Sequence, residues 1–146
     1  MLTPKRAYYL ENIYILMEEK GYARAADIAI ILDVTQSSVT RMLQKLDEEG
    51  LGIYEKHRGF ALTPNGKKLG KALVEKHEMV EGFLRTIGVQ EKHVGAEVEG
   101  IKHNISKHTT DCISDFLDFF VENPHIKESY MKYKTETKVG NKDSAG

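Results

Sequence analysis

The 146-residue chain is 40% hydrophobic and 29% charged with a formal net charge of -1, the profile of a globular protein of one domain or of a small module with a packed extension. No run nears the ~18 apolar residues of a membrane span. The opening MLTPKRAYYLENIY puts charged and polar residues where a secretory signal needs an apolar stretch, so a cytoplasmic protein with no membrane partner is expected. Residues 1–70 hold ten Lys/Arg against nine Asp/Glu, so any DNA contact must come from a local basic patch and be sensitive to salt. The single cysteine, Cys112, excludes an internal disulfide and a CxxC knuckle, and is expected to be a partly buried helix residue without a chemical role.

From Thr3 to Glu19, Leu10, Ile13, Tyr14 and Met17 recur at intervals of three and four, which predicts a helix that Gly21 ends. AADIAIIL predicts a short helix from Ala25 to Leu32, and DVTQSS can turn the chain and cap the next one. That helix, Gln36 to about Glu49, sets Val39, Met42, Leu43 and Leu46 inward and Ser37, Thr40, Arg41, Gln44 and Lys45 outward. LGIYEKHRGFALTPNG then predicts a two-stranded hairpin turning at Arg58-Gly59. Thr63-Pro64 opens a long helix to about Ile87, broken by Gly88. Helices follow at about Gln90–Ser106 and Thr109–Val121, with a shorter one after Asn123-Pro124. The tail KVGNKDSAG has no apolar periodicity and is expected to be disordered. The chain is thus mainly α with one small hairpin.

Helix, helix, short turn, helix, hairpin is the order of a winged helix-turn-helix. A helix about 10–12 Å across fits a major groove about 12 Å wide, while a hairpin can reach flanking phosphates. On this reading Ser37 and Thr40 serve phosphates or base edges, Gln44 serves adenine, and Arg41 serves guanine or phosphate. Lys56, His57 and Arg58 supply the wing, and Lys67 and Lys68 add charge beyond it. The competing reading is a solvated helix face on a protein-binding module. Short polar side chains at the helix start, joined to a basic hairpin, favour DNA over that reading.

In the stretch VEGIKH, Glu99 and His103 stand four residues apart, a spacing that one metal ion could bridge on a helix, and Lys102 lies close enough to interfere. No nucleophile–base set or phosphate loop appears, so an enzyme is not expected. His57, His93, His108 and His125 lack such partners and read as surface residues, although His57 is also a candidate for DNA contact.

EEKGYARAADIA, SSVTRMLQKLDEEG, IYEKHRGFALTPNGKKLG and RTIGVQEKHVGAEVEGIKH together resemble the manganese transport regulators of the diphtheria-toxin-repressor family, from about Tyr9 to about Glu122. The resemblance implies a homodimeric transcriptional repressor that binds a palindromic operator in double-stranded DNA and is activated by divalent metal. It implies a winged helix at 1–70, a linker helix at 71–88 and a helical dimerisation and metal-site domain at 89–138, followed by the tail at 139–146. It implies Glu11, His77, Glu99 and His103 as metal ligands. It also implies two departures, Tyr8 where the family has an aspartate ligand and Lys102 where it has a glutamate.

Mn²⁺ favours oxygen donors, and a two-metal site needs carboxylates to offset about four positive charges, so a binuclear manganese cluster is disfavoured. Three alternatives stay open. A single Mn, Zn, Fe or Co ion is held by the four remaining ligands; or the Lys102 ammonium replaces metal as a tether between the domains in a metal-independent regulator; or the constellation is a vestige.

Overall fold

The computed structural model describes residues 2–138; the tail expected at 139–146 lies outside the described residues. The chain divides into two compact units, Met1–Lys76 and His77–Gly146.

In the first unit, α1 (Pro4–Lys20) begins where the Thr3 hydroxyl accepts the Arg6 N–H at 3.2 Å and ends at Gly21, whose N–H bonds the Met17 carbonyl at 2.7 Å. Its buried stripe is Tyr9, Leu10, Ile13 and Leu16, with Tyr14 and Met17 half-buried beside it. α2 (Ala25–Leu32) buries Ile28 and Leu32, and α3 (Gln36–Glu48) buries the four residues its periodicity predicts, Val39, Met42, Leu43 and Leu46. Thr35 caps α3 by accepting the Ser38 N–H at 3.2 Å. These helices share one core with Phe60 and Leu62 of the hairpin.

β1 (Gly52–Glu55) and β2 (Gly59–Leu62) are antiparallel, with Gly52 opposite Leu62 and Glu55 opposite Gly59. The turn therefore runs through Lys56, His57 and Arg58, one residue earlier than the predicted Arg58-Gly59. The reason is a third partner: the Phe60 N–H bonds the Ala23 carbonyl at 2.7 Å and the Phe60 carbonyl accepts the Ala23 N–H at 3.2 Å. That bridge draws Gly59 into the strand at φ 99°, where a Cβ would meet the Ala23 carbonyl oxygen at 2.7 Å. Asp47 of α3 accepts the Tyr54 N–H at 2.8 Å and ties the hairpin to the helix before it.

α4 (Pro64–Thr86) starts at Thr63, whose hydroxyl accepts the Gly66 N–H at 3.1 Å and donates to the Gly50 carbonyl at 2.7 Å. Its early turns pack Leu69 and Leu73 on the first core, and its later turns bury Val80 and Leu84 in the second unit.

The second unit adds α5 (Glu91–Lys102), α6 (Lys107–Glu122) and α7 (Pro124–Lys138). The helix predicted to run to Ser106 stops at Lys102. Asn104 folds its side-chain amide onto the Gly100 carbonyl at 2.6 Å, and Ser106 turns to cap α6 by accepting the Thr109 N–H at 3.3 Å. α7 has fifteen residues against sixteen in α6, so it is hardly the shorter element predicted. Phe83, Phe116, Phe120 and Tyr130 form a chain of edge-on and tilted rings linking α4, α6 and α7. Cys112 is exposed on α6 rather than partly buried. No helix among the described residues is long and apolar enough to cross a membrane.

Two glycine substitutions separate packing from backbone entropy. A methyl group at Gly52 would overlap the buried Phe60 ring, whereas one at Gly95 in α5 meets nothing within 4 Å. In urea denaturation Gly52→Ala is expected to lose about 1–3 kcal/mol. Gly95→Ala should gain about 0.5–1 kcal/mol from helix propensity. Equal effects would mean the hairpin contact is not tight.

Candidate functional site

The first unit presents a polar, partly basic face on α3. Ser37, Arg41, Gln44 and Lys45 are exposed and Thr40 is half-buried, on the side opposite the four core residues. The start of the helix is ordered by Thr35, whose hydroxyl donates to the Ser38 hydroxyl at 2.8 Å. Arg41 Nε lies 3.4 Å from the Ser37 carbonyl, so its guanidinium stays along the helix surface. A cleft of about 200 Å³ is lined by Lys5, Ser38, Arg41, Met42 and Lys45. Lys5, on the first turn of α1, is a cation that the sequence reading left out, because its closeness to α3 depends on how the two helices pack. Lys56, His57 and Arg58 are all exposed at the hairpin tip. Arg58 is 3.5 Å from Glu55, but both ends are solvated, so the pair leaves the guanidinium available.

The second unit holds a charged cluster where α4 meets α5. Lys102, the last residue of α5, is only 5% exposed. Its ammonium donates to Glu99 Oε1 at 3.0 Å and lies 3.2 Å from His77 Nδ1. Glu99 Oε1 is itself 3.8 Å from His77 Nδ1, and Glu99 Oε2 is 3.7 Å from His103 Nε2. His103 caps α5 rather than lying inside it, yet the four-residue spacing still brings it to Glu99. Lys102 therefore does more than stand near the pair: it inserts between Glu99 and an imidazole 25 residues away in sequence.

Behind His77 stands a second set of charges that sequence reasoning missed. His77 Nε2 faces Glu81 Oε2 at 3.3 Å, which favours the proton on Nε2 and leaves the Nδ1 lone pair toward Lys102. The other Glu81 oxygen accepts from Arg85 at 2.7 Å, and Arg85 holds Glu91 through two bonds of 2.9 and 2.6 Å. Hydrogen bonding from Arg85 holds the Glu91 carboxyl below its ordinary range, and bonding to Glu91 and Glu81 pushes the guanidinium further up. The i, i+4 spacings of His77, Glu81 and Arg85 on α4 are the signal that could have found them.

Glu11 is buried in α1 of the first unit at 8% exposure, and Tyr8 on the same helix is 42% exposed. His57, His93, His108 and His125 are surface residues.

Donor chemistry tests whether an ion fits this part of the second unit. His77, Glu99 and His103 offer nitrogen and oxygen atoms separated by 3.7–3.8 Å. Donors about 2.1 Å from one ion lie roughly 3–4 Å from each other, so the His77 and Glu99 pair suits one divalent ion in type and spacing, while His103 approaches the other Glu99 oxygen. Two ions do not fit, because Lys102 brings a positive charge where a second site needs a carboxylate.

Residues 1–60 match the family described as iron dependent repressor, N-terminal DNA binding domain, and residues 63–130 match its metal binding and dimerisation domain. The HTH-type transcriptional regulator MntR of Lysinibacillus sphaericus (strain C3-41) is 49% identical over 136 residues, 93% of this chain and 98% of that protein. A structure of the manganese regulator SloR is similar with a TM-score of 0.68 and 30% identity, covering 80% of this chain and 55% of SloR. A crystal structure of ScaR with bound Zn²⁺ is similar at 0.66 and 32%, covering 78% of this chain and 54% of ScaR. The chain spans about half the length of those two structures.

A winged helix followed by a metal-binding and dimerisation domain defines a DNA-binding transcriptional regulator, not an enzyme. The chain belongs to the iron-dependent repressor family, as an HTH-type regulator of the MntR type.

The Arg85–Glu91 clamp, which joins the end of α4 to the start of α5, gives a pH prediction. A carboxyl held low in the folded state contributes stability above its unfolded pKa and loses it as pH falls through the folded pKa. Wild type should therefore melt above Glu91→Gln at pH 7, with the gap closing as the pH is lowered through the acid range. A gap that is constant with pH would show the clamp adds nothing through charge.

Proposed function

We propose that this chain is a cytoplasmic, homodimeric repressor that binds a palindromic operator through α3 and the hairpin, and that it responds to one divalent transition ion per chain. The observation that carries the DNA reading is the exposed face of Ser37, Arg41 and Gln44, set over a fully buried apolar stripe and flanked by Lys56, His57 and Arg58. Thr40, half-buried on the same helix, would brace a phosphate. Lys5 and Lys45 share a cleft with Arg41, which supports backbone contact beside base contact. Dimerisation through the second unit would set two recognition helices about one helical turn, ~34 Å, apart or at a multiple of that distance.

For the ion, the ligand set we propose is Glu11, His77, Glu99 and His103, two carboxylates and two imidazoles. The family resemblance supports Glu11; His77 Nδ1 and Glu99 Oε1, 3.8 Å apart, and His103 Nε2, 3.7 Å from the other Glu99 oxygen, support the rest. Manganese remains the ion of the related SloR regulator, and zinc is bound in the ScaR structure. The mixed donor set here suits Zn²⁺ or Fe²⁺ as well as Mn²⁺. The bound ion would neutralise carboxylates from separate elements and so favour one placement of the recognition helices. His77 would be held for this by Glu81, whose carboxylate faces the far ring nitrogen.

Two measurements test the reading. Arg41→Ala should weaken operator binding by about 1–3 kcal/mol in fluorescence anisotropy if it reads a base. An equal loss on every duplex would make it a phosphate contact. Elemental analysis after dialysis against each ion should give one ion per chain; two per chain would overturn the single-ion site.

A further inference from the structure

We infer that the Lys102 ammonium is a resident counter-ion for Glu99 and His77, and that a divalent ion must displace it, so that the metal threshold of this regulator is set by competition with its own side chain. The inference rests on the reading of His77 and Glu99 as ion ligands.

Three observations carry it. The first is position: Nζ is 3.0 Å from Glu99 Oε1 and 3.2 Å from His77 Nδ1, and those two atoms are 3.8 Å apart. An ion about 2.1 Å from both would have its centre within about 3.5 Å of Nζ. A doubly charged ion and an ammonium so close repel strongly where water does not screen them. Both also claim the same lone pairs, since the proton favoured on Nε2 by Glu81 turns the Nδ1 lone pair toward this point.

The second is burial. At 5% exposure the ammonium is almost out of water, a state lysine tolerates only with partners. Glu99 and His77 are such partners, and the C-terminal end of α5 adds the negative pole of the helix. The third is the support around it. Glu81, Arg85 and Glu91 fix His77 and the start of α5, so the receptor for the ammonium is preorganised.

The consequence is a partial substitution of one cation for another. An ammonium in place neutralises Glu99 without any metal, so part of what the ion would do is already done in the metal-free chain. An ion that does enter must withdraw a buried lysine from its acceptors first.

Calorimetric titration of the full-length dimer with Mn²⁺ and with Zn²⁺ tests this, comparing wild type with Lys102→Met, Lys102→Gln and Lys102→Glu. Removing the ammonium should tighten ion binding by about 10–100-fold, the range seen when groups around a metal site are altered. The glutamate variant should gain most. In parallel, operator binding is followed by anisotropy on a duplex selected from a random pool. Wild type should change by less than about threefold between chelator and saturating ion, and Lys102→Met by more than about tenfold, a difference of about 0.7 kcal/mol or more.

Equal ion affinities in wild type and all three variants would overturn the inference while leaving the ligand reading intact. Ion binding that Glu99→Gln does not weaken, or no ion binding by any variant, would bring down the ligand reading and the inference with it. Methionine and glutamine preserve much of the length of lysine without its charge, so a misfolded glutamate variant, recognised by circular dichroism, would still leave the comparison decisive.

Discussion

A lysine that loses its water must find acceptors, and at Lys102 that requirement organises the ends of two helices. The ammonium is met by Glu99 from its own helix and by His77 from α4, so α4 and α5 are joined by a charged contact as well as by Val80, Leu84, Val94 and Val98. Such a contact is weak grounds for stability, because desolvating the partners offsets most of their attraction. Its effect lies in register. A charge held by defined acceptors permits few alternative packings, whereas the apolar contacts beside it tolerate small slides. The Glu81–Arg85–Glu91 series acts in the same sense on the opposite side of His77, more exposed and weaker pair by pair, but geometrically fixed by the two-pronged bond from Arg85.

The first unit solves a different problem, which is to present a small hairpin rigidly. Two strands of four residues do not hold together alone in water. This hairpin is held from three sides: by Ala23 through two backbone bonds, by Asp47 through the Tyr54 N–H, and by Phe60 buried against Gly52 in the helical core. Only its tip is free of these constraints, and the tip carries Lys56, His57 and Arg58. The same core fixes α3, since its buried stripe leaves just one face outward. Rigid scaffolding beneath exposed polar side chains is what lets a contact surface discriminate, because less freedom is lost on binding.

Legibility of the fold followed the range of the forces involved. The buried face of α3 was readable because a period of 3.6 and four apolar residues suffice to define it. Thr35, Pro64 and Gly21 marked boundaries because capping is local chemistry. The end of α5 was not readable: Asn104 and Ser106 can each bond the backbone, and which wins depends on where α6 has to start. The hairpin turn moved by one residue for a similar reason, since Ala23 lies far from it in sequence. In the second unit the sequence showed that Lys102 would trouble Glu99, three residues away. Residue spacing could not show His77 on the other side of the ammonium, which only the family resemblance put beside Glu99, because that contact spans 25 residues and depends on the crossing of α4 and α5.

Charge then decides what kind of switch such a site can be. A ligand shifts an equilibrium only by the difference in its affinity for the two states, and only if its own concentration varies. A covalently attached ammonium meets the first condition but not the second: its local concentration is fixed by the chain. It therefore biases the resting population and carries no information. Information enters through whatever can replace it, and the replacement is graded by how firmly Glu99 and His77 hold the lysine. A neutral side chain at position 102 would leave the Glu99 carboxylate for an ion to neutralise, giving a wide response from a low baseline. Lysine raises the baseline and narrows the response. The positive charge on the last residue of α5 thus acts on the range over which metal can be sensed, with the fold that displays the DNA-binding surface left as it is.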